Sequence, residues 1–279
     1  MIVVTGASGH LGGLVAREFA ARGEPVRLVV RDAGRAPVLD GAEIAVADFG
    51  DPDSLARALG EGDRAFMVSM HAGPDARIAL HQSFVDAAAR AGVAHVVYVS
   101  SLGAGPDAIF SHGRSHGATE EMLRESGLGW TSIRNGMYTD DILGWFDPDG
   151  VARETGGDGR MSFSYRPELA KSVAVTLTES GHDGKVYDVV TPPPVGLAEL
   201  ARIASEVTGR SYRYEPIGHD EWDARWRALG RDGWALDAGH TSYKALSAGE
   251  FDVESDDYER ITGEKPLTVA QVIERLAAE

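Results

Sequence analysis

The sequence contains no cysteine in its 279 residues. This absence excludes disulfide bonds, thiolate nucleophiles and cysteine-based metal sites. The sequence also has no apolar stretch of the length that crosses a lipid bilayer. The apolar run that follows Met1 ends at Gly6, too early for the hydrophobic region of a secretory signal peptide. We therefore expect a cytoplasmic protein that does not enter the membrane.

Positive charge is scarce in this chain. Only 27 residues are Lys or Arg against 43 Asp and Glu, which gives a formal net charge of −16. Such a surface repels a polyanion unless it carries a basic stripe, and Arg225, Arg227 and Arg231 are interleaved with acidic residues. We therefore expect no nucleic-acid partner.

Up to about residue 135, short β-branched runs alternate with amphipathic helical stretches. This alternation is typical of a parallel sheet covered by helices on both faces. The predicted strands lie at 2–5, 25–30, 43–47, 65–68, 95–100 and 130–134. The predicted helices lie at about 10–22, 52–59, 74–91 and 112–126.

Beyond residue 135 the pattern is less regular. Strands are predicted at 160–164, 185–190 and 211–215, and helices at 167–179, 196–208, 219–229, 240–249 and 267–278. The three consecutive prolines in 191–194 predict a break in the regular structure.

The glycine loop Thr5–Gly12 lies between the first predicted strand and the first predicted helix. Gly6 permits a tight exit from the strand, Gly9 lets the backbone approach a pyrophosphate, and Gly12 allows close packing of helix on sheet. The start of the helix then offers N–H groups to phosphates. A glycine turn without a ligand is the alternative. The loop residues that we expect at the cofactor are Gly6, Ser8, Gly9, His10 and Leu11.

These patterns together predict a doubly wound parallel Rossmann sheet with a smaller C-terminal α+β lobe. We expect residues 1–150 and 160–190 to form the NAD(P)-binding domain. The lobe over 191–279, with parts of 136–165, would cover the carboxyl edge of the sheet, where such folds bind their ligands.

The choice of cofactor depends on the residues after the second predicted strand. Arg31 comes first there and Arg35 follows, which favours the 2′-phosphate of NADPH. Asp32 lies between them and would instead accept from the free ribose hydroxyl of NADH. We predict NADPH.

Two further strand ends lie at the same edge of the sheet. Phe49 is placed to flank an adenine ring and Asp48 to accept from its amino group, although an Asx turn at Asp48 explains the pattern equally well. Ser69, Met70 and His71 follow the fourth strand and are expected along the nicotinamide half.

Four longer motifs carry a family resemblance. The chain resembles the atypical short-chain reductases of the NmrA-like group, and within it the branch with NADPH:quinone oxidoreductase and triphenylmethane-dye reductase. The matching segments fall in order along the chain and are His116-Gly117-Ala118-Thr119-Glu120, Ile133-Arg134-Asn135-Gly136-Met137-Tyr138-Thr139-Asp140, Gly181-His182-Asp183-Gly184-Lys185-Val186-Tyr187 and Asp256-Asp257-Tyr258-Glu259-Arg260-Ile261-Thr262-Gly263.

The resemblance implies roles for residues after the sixth strand. It makes Asn135 and Gly136 part of the wall beside the nicotinamide, with Tyr138 facing the substrate, and it places Arg166 near the cofactor. The alternatives are that Tyr138 is a core aromatic residue and that Arg166 is a charge at the start of a helix.

Ordinary short-chain dehydrogenases donate a proton from a Tyr-x-x-x-Lys pair, and this chain lacks that pair. The matching positions hold His112 and His116. In the cleft, His112 would protonate the product with a pKa near neutrality. The two histidines, one helical turn apart, would also suit a metal with Glu120, but no further ligand is compelling, so we predict no metal site.

The loss of the pair favours an acceptor electrophilic enough to need little acid assistance. We therefore predict hydride transfer from NADPH to a small aromatic acceptor of the quinone, quinone-imine or cationic-dye type, with His112 and Tyr138 as catalytic candidates. A non-catalytic redox sensor that acts through a protein partner is the alternative. Ser100 and Ser101 would donate to an acceptor oxygen or cap a loop, and the sequence does not decide whether the chain forms a homodimer. Aromatic residues of the C-terminal region favour the enzyme: Tyr212, Tyr214, Trp222, Trp226, Trp234 and Tyr243.

Overall fold

The computed structural model describes residues 1–278. Its strands are β1 (Ile2–Thr5), β2 (Val26–Val30), β3 (Glu43–Val46), β4 (Arg64–Met67), β5 (His95–Ser101), β6 (Gly129–Asn135), β7 (Met137–Tyr138), β8 (Val151–Glu154), β9 (Arg160–Ser164), β10 (Lys185–Val189), β11 (Thr191–Gly196) and β12 (Arg213–Pro216). Its helices are α1 (His10–Ala21), α2 (Pro52–Ala58), α3 (Pro74–Ala91), α4 (Ser111–Glu125), α5 (Arg166–Thr178), α6 (Leu197–Thr208), α7 (His219–Ala228), α8 (Gly233–Ser247), α9 (Asp257–Thr262) and α10 (Val269–Ala278).

Seven parallel strands form the central sheet in the order β10-β6-β5-β4-β1-β2-β3. One face is covered by α1, α5 and α9, and the other by α2, α3 and α4, because each of these helices buries apolar side chains in the core on its side. The strand order reverses between β1 and β4, so a crevice opens at the carboxyl ends of these strands. The predicted doubly wound parallel sheet is confirmed.

The helix boundaries follow from local chemistry at their ends. Asp51 caps α2, since its Oδ1 accepts from the N–H groups of Asp53 and Ser54, both at 3.1 Å, and Pro52 occupies the first turn. Gly92 ends α3 in the left-handed region with φ of +71°.

The smaller lobe has its own apolar core and two small sheets. Strands β11, β9 and β7 form one of them, and β12 pairs with β8 in the other. The predicted break at 191–194 is wrong, because these residues belong to β11. Thr191 pairs with Phe163 and Val195 with Met161, and the register shifts between these pairs, so the prolines lie where the ladder is irregular.

The chain returns to the first domain near its C-terminus through α9, which the sequence did not reveal. Tyr258 and Ile261 of this helix pack into the same core as α1 and α5. The backbone N–H of Asp188 in β10 donates to Asp257 Oδ2 at 2.9 Å. Within residues 1–278, no helix is both long and apolar enough to span a bilayer.

Candidate active site

The glycine loop after β1 leaves the start of α1 open. Gly6 has a φ of +62°, and a Cβ on it would lie 2.6 Å from Val68 Cγ1. A Cβ on Gly12 would collide with the carbonyl oxygen of Gly6. Helix α1 begins after Gly9 with no side-chain cap, and Ser8, Gly9 and His10 are exposed. The first-turn N–H groups are thus available to an anion, as a pyrophosphate requires.

An exposed arginine, Arg31, and a carboxylate that caps a turn, Asp32, follow the end of β2. Asp32 Oδ1 accepts from the N–H of Gly34 at 2.9 Å and thereby caps a 3₁₀ turn over Ala33–Arg35. Arg31 is exposed, and no carboxylate within residues 1–278 lies within 4 Å of its guanidinium. Asp32 therefore stabilises the local turn. Arg31 is exposed to solvent at the same edge of the sheet as the glycine loop.

The two residues expected at the adenine each have a partner within the protein. Asp48 Oδ1 accepts from the N–H of Gly50 at 2.7 Å, which is the Asx turn. The ring of Phe49 is 5% exposed and stacks on Phe84 with centroids 5.1 Å apart. The structure thus places the Phe49 ring in the core under α3, where it packs in the same apolar cluster as Phe84.

A cavity of about 350 Å³ lies at the carboxyl edge of β4, β5 and β6. Helices α3 and α4 close one side, and Phe251 of the smaller lobe closes another. Gly136 belongs to the wall, and a Cβ on it would collide with the carbonyl oxygen of Ser162. The sequence-predicted residues that line the cavity are Leu11, Ser69, Met70, His71, Ser100, Ser101, His112, His116, Asn135, Gly136 and Tyr138.

Tyr138, one of these wall residues, packs against the guanidinium of Arg166. The Arg166 guanidinium carbon lies 3.9 Å from the centre of the Tyr138 ring and forms ion pairs with Asp140 and Asp141. His10 Nε2 of the glycine loop lies 3.7 Å from Asp140 Oδ2. Arg166 itself does not line the cavity. It acts on the cavity through the position of Tyr138, whose own pKa is raised by burial.

The expected near-neutral pKa of His112 is not found. Burial and the nearby charge of Arg77 lower the pKa of His112 to about 4, so the ring is neutral at pH 7. Arg77 Nη2 approaches His112 Nδ1 at 3.5 Å. Because arginine only donates, Nδ1 accepts and the proton is on Nε2. Nε2 is buried and has no hydrogen-bond partner within residues 1–278.

Arg77 is a cavity residue that the sequence analysis missed. Its side chain is 5% exposed, yet no carboxylate of the described chain lies within 4 Å of it. Its Nε donates to the carbonyl oxygen of Met70 at 3.0 Å and its Nη1 to Ser115 Oγ at 3.4 Å. The available signal was spacing, since Arg77 shares a helix face with the core residues Phe84 and Ala88.

The groups around Arg77 are neutral. His81 Nε2 accepts from the N–H of Met70 at 3.0 Å, and burial lowers the pKa of His81 to about 3. His116 Nδ1 lies 2.7 Å from the hydroxyl oxygen of Tyr98, and burial also lowers the pKa of His116. Within residues 1–278, no three side chains are grouped to hold a metal ion.

A second cavity of about 680 Å³ opens in the smaller lobe and shares Met137 and Phe251 with the first. Trp226 and Tyr243 line it. Trp234 belongs to the first cavity's surroundings, with its ring 5.1 Å from that of His71 and 5.6 Å from that of His112. Tyr212, Tyr214 and Trp222 pack in the lobe or its core. Part of the C-terminal aromatic set therefore lies next to the cleft.

Comparisons with known proteins agree with this geometry. The family described as NAD(P)H-binding matches residues 6–178, more than half of the chain. The NAD(P)H azoreductase of Xenophilus azovorans is 29% identical over 100% of this chain and 98% of its own length. The triphenylmethane reductase of Citrobacter sp., solved with NADP(H), has a TM-score of 0.89 at 30% identity and covers 99% of this chain and 100% of its own.

The NADPH-dependent quinone oxidoreductase of Escherichia coli, solved with NADPH, has a TM-score of 0.90 at 27% identity, with 99% of each chain covered. The resemblance carried by the four sequence motifs is thereby confirmed. Of the two functions that the sequence left open, these matches support the enzyme. The chain belongs to the NAD(P)H-binding family and is an NAD(P)H-dependent oxidoreductase.

Proposed function

We propose that the protein is an NADPH-dependent reductase that transfers hydride to a small electrophilic aromatic acceptor. The observation that carries this proposal is the cavity of about 350 Å³ at the carboxyl edge of the sheet. It adjoins the glycine loop through Leu11 and is walled by the residues that follow β4, β5 and β6. Such a position suits the reactive end of a dinucleotide whose pyrophosphate is held at α1.

The residues expected at the adenosine end of the cofactor favour NADPH over NADH. When bound, NADPH supplies the hydride. The open N–H groups at the start of α1 would hold its pyrophosphate, and Arg31 would bind the 2′-phosphate by charge-assisted hydrogen bonds. Asp32 Oδ1 accepts from the Gly34 N–H, so this carboxylate has a role in the local turn that needs no ligand. This arrangement supports the assignment made from the order of residues after β2.

The cavity offers hydrogen bonds but no strong acid. His112 is neutral at pH 7, because burial lowers its pKa to about 4, and no Tyr-x-x-x-Lys pair stands at the matching positions. A simple ketone needs a proton donor to develop an alkoxide, whereas a conjugated acceptor spreads the added charge over its rings. The protein's task is then to align donor and acceptor, with Tyr138 fixed by Arg166 as one wall.

The relatives support this class of acceptor. Their names describe reduction of azo compounds, quinones and triphenylmethane dyes, and all of these are conjugated electrophiles. The second cavity, which shares Met137 and Phe251 with the first, would accommodate the part of a larger acceptor that extends beyond the reacting ring.

A panel of acceptors tests the proposal. The loss of absorbance of the reduced nicotinamide is followed with benzoquinone, an azo dye, a triarylmethane dye and an aliphatic ketone, using NADPH and then NADH. We expect turnover with one or more of the conjugated acceptors and none with the ketone, with NADPH preferred. Turnover of the ketone alone, or no turnover with any acceptor despite tight NADPH binding, would contradict the proposal.

A further inference from the structure

Arg77 carries a positive charge into the wall of the cavity without a carboxylate to neutralise it. Three of the five guanidinium N–H groups have partners in residues 1–278, namely the Met70 carbonyl oxygen, Ser115 Oγ and His112 Nδ1. Two N–H groups are left for a ligand. A buried arginine is usually paired with an anion, because removing its charge from water is costly.

The charged and titratable groups around Arg77 do not replace that anion. His81 on its own helix and His112 and His116 on α4 are neutral at pH 7. The charge of Asp237 on α8 partly offsets the lowering of the His112 pKa, but Asp237 lies more than 4 Å from Arg77. Glu120 on α4 accepts hydrogen bonds from Arg134 and Ser132. The positive charge of Arg77 is therefore directed to the cavity.

Two more residues that line the same cavity carry a polar atom without a partner. Ser100 Oγ is buried and has no hydrogen-bond partner within residues 1–278, and the same holds for His112 Nε2. The proton on Nε2 makes His112 a donor, because its Nδ1 accepts from Arg77. A cation, a neutral N–H donor and a hydroxyl thus belong to residues that line one cavity, and an electron-rich oxygen or nitrogen atom is the kind of ligand atom that all three can bind.

We propose that Arg77 is a catalytic residue that determines acceptor specificity, by binding the acceptor atom that becomes negative during hydride transfer. His112 Nε2–H donates to the same atom. The cavity should then favour neutral acceptors whose reduced form is an anion, such as quinones and azo compounds, over cationic dyes. This inference rests on the proposed function and assigns its substrate class.

The chemistry separates the two kinds of acceptor. Hydride carries one proton and two electrons. Its transfer to a neutral quinone breaks a C–H bond of the reduced nicotinamide, forms a new bond to hydrogen on the quinone, and leaves NADP⁺ and the hydroquinone monoanion. The monoanion later takes one proton from solvent. Transfer to a triarylmethane cation forms a C–H bond and gives a neutral product, so a nearby arginine repels the substrate and gains no anion.

Substitutions at Arg77 test the role in the protein loaded with NADPH. Arg77→Gln removes the charge and keeps a donor, Arg77→Lys keeps the charge, and Arg90→Gln removes an exposed charge from the far end of the same helix. The values compared are kcat/KM for benzoquinone and for malachite green. We expect Arg77→Gln to lower the quinone-to-dye ratio by about 100-fold, as loss of an oxyanion donor does. Arg77→Lys should retain most of the ratio and Arg90→Gln all of it.

The inference and the proposed function fail in different ways. No turnover by the wild type with any acceptor would end the proposed function. Turnover by the wild type with an equal loss for quinone and dye in Arg77→Gln would overturn only the inference. Circular dichroism and thermal unfolding check that each variant folds.

A binding measurement tests the effect of the Arg77 charge on a bound anion without any turnover. 4-Nitrophenol is titrated into the wild type and each variant saturated with NADP⁺, and the absorbance of the phenolate gives the pKa of the bound phenol. We expect that pKa to be about one unit higher in Arg77→Gln than in the wild type and in Arg77→Lys. Equal values in all three proteins would overturn the inference.

Discussion

Two buried arginines flank the same cavity in different ways. Behind the wall after β6, Arg166 is neutralised by Asp140 and Asp141 and holds Tyr138 in place. On the α3 side, Arg77 has only neutral partners. The charge of Arg166 is thus balanced within the protein, whereas the charge of Arg77 is not. Arg166 therefore supports the wall without a ligand, whereas we propose that the acceptor supplies the missing partner of Arg77.

The largest expected change in stability comes from removing Arg166, which is ion-paired with Asp140 and Asp141. Arg166→Met leaves the buried Asp140 without its cation and removes the stacking on Tyr138, so the free energy of unfolding should fall by about 3 kcal/mol. Arg77→Met should change it by less than about 1 kcal/mol, because it removes a buried charge that has no counterion. Urea unfolding followed by circular dichroism measures both.

Asp141→Asn is the control for this pair, since Asp141 is half exposed and its loss should cost no more than about 1 kcal/mol. A larger loss of stability in Arg77→Met than in Arg166→Met would reverse the comparison between the two arginines.

A third arginine extends the comparison to the exposed surface. Arg31→Ala should raise the Kd for NADPH by about 10–100-fold, because a charge-assisted contact with the 2′-phosphate contributes about 1.5–3 kcal/mol. The Kd for NADH should hardly change. Fluorescence titration with both cofactors measures this, and Arg90→Ala, which removes an exposed charge from the end of α3, is the control. Equal losses for the two cofactors would show that Arg31 does not bind the phosphate.

A further prediction concerns the neutral histidine beside Arg77. The pKa of His112 is about 4 in the folded protein and near 6.5 when unfolded. Between these values the unfolded state binds more protons, so the contribution of His112 to stability is complete above pH 6.5 and is lost as pH falls towards 4. The slope contributed by one such group is at most about 1.4 kcal/mol per pH unit.

Urea unfolding of wild type and His112→Asn from pH 4.5 to 7.5 isolates this contribution. The difference between the two proteins is needed because Glu168, whose pKa burial raises to about 7, stabilises the fold as pH falls. We expect the variant to lose less stability than the wild type on acidification. Parallel curves would mean that His112 is not held neutral.

Most of the central sheet could be predicted from sequence because its signals are local. The β-branched runs, the prolines at α2 and α3, and the glycine loop each reflect the chemistry of a few neighbouring residues. The prolines of 191–194 misled the prediction, since pairing with β9 is a contact made at long range. Helix α9 was missed for the same reason, because Tyr258 and Ile261 are buried only through their packing in the core with α5.

The cavity was predicted in part. Residues that follow strand ends, such as Ser69, Asn135 and Tyr138, lie at the cavity because the carboxyl ends of parallel strands share one edge. Arg77 was missed because an arginine in a helix is ordinarily a solvent-facing charge, and only the packing of α3 against α4 buries it. The pKa of His112 was misjudged for the same reason, since it depends on that burial and on Arg77.

The decisive measurement is a crystal structure of the protein with NADPH. We expect the pyrophosphate on the N–H groups at the start of α1, the 2′-phosphate at Arg31, and the nicotinamide ring in the cavity at the ends of β4, β5 and β6, with Arg77 and His112 beside it. A dinucleotide bound elsewhere, or a nicotinamide ring directed away from that cavity, would contradict the proposed binding mode.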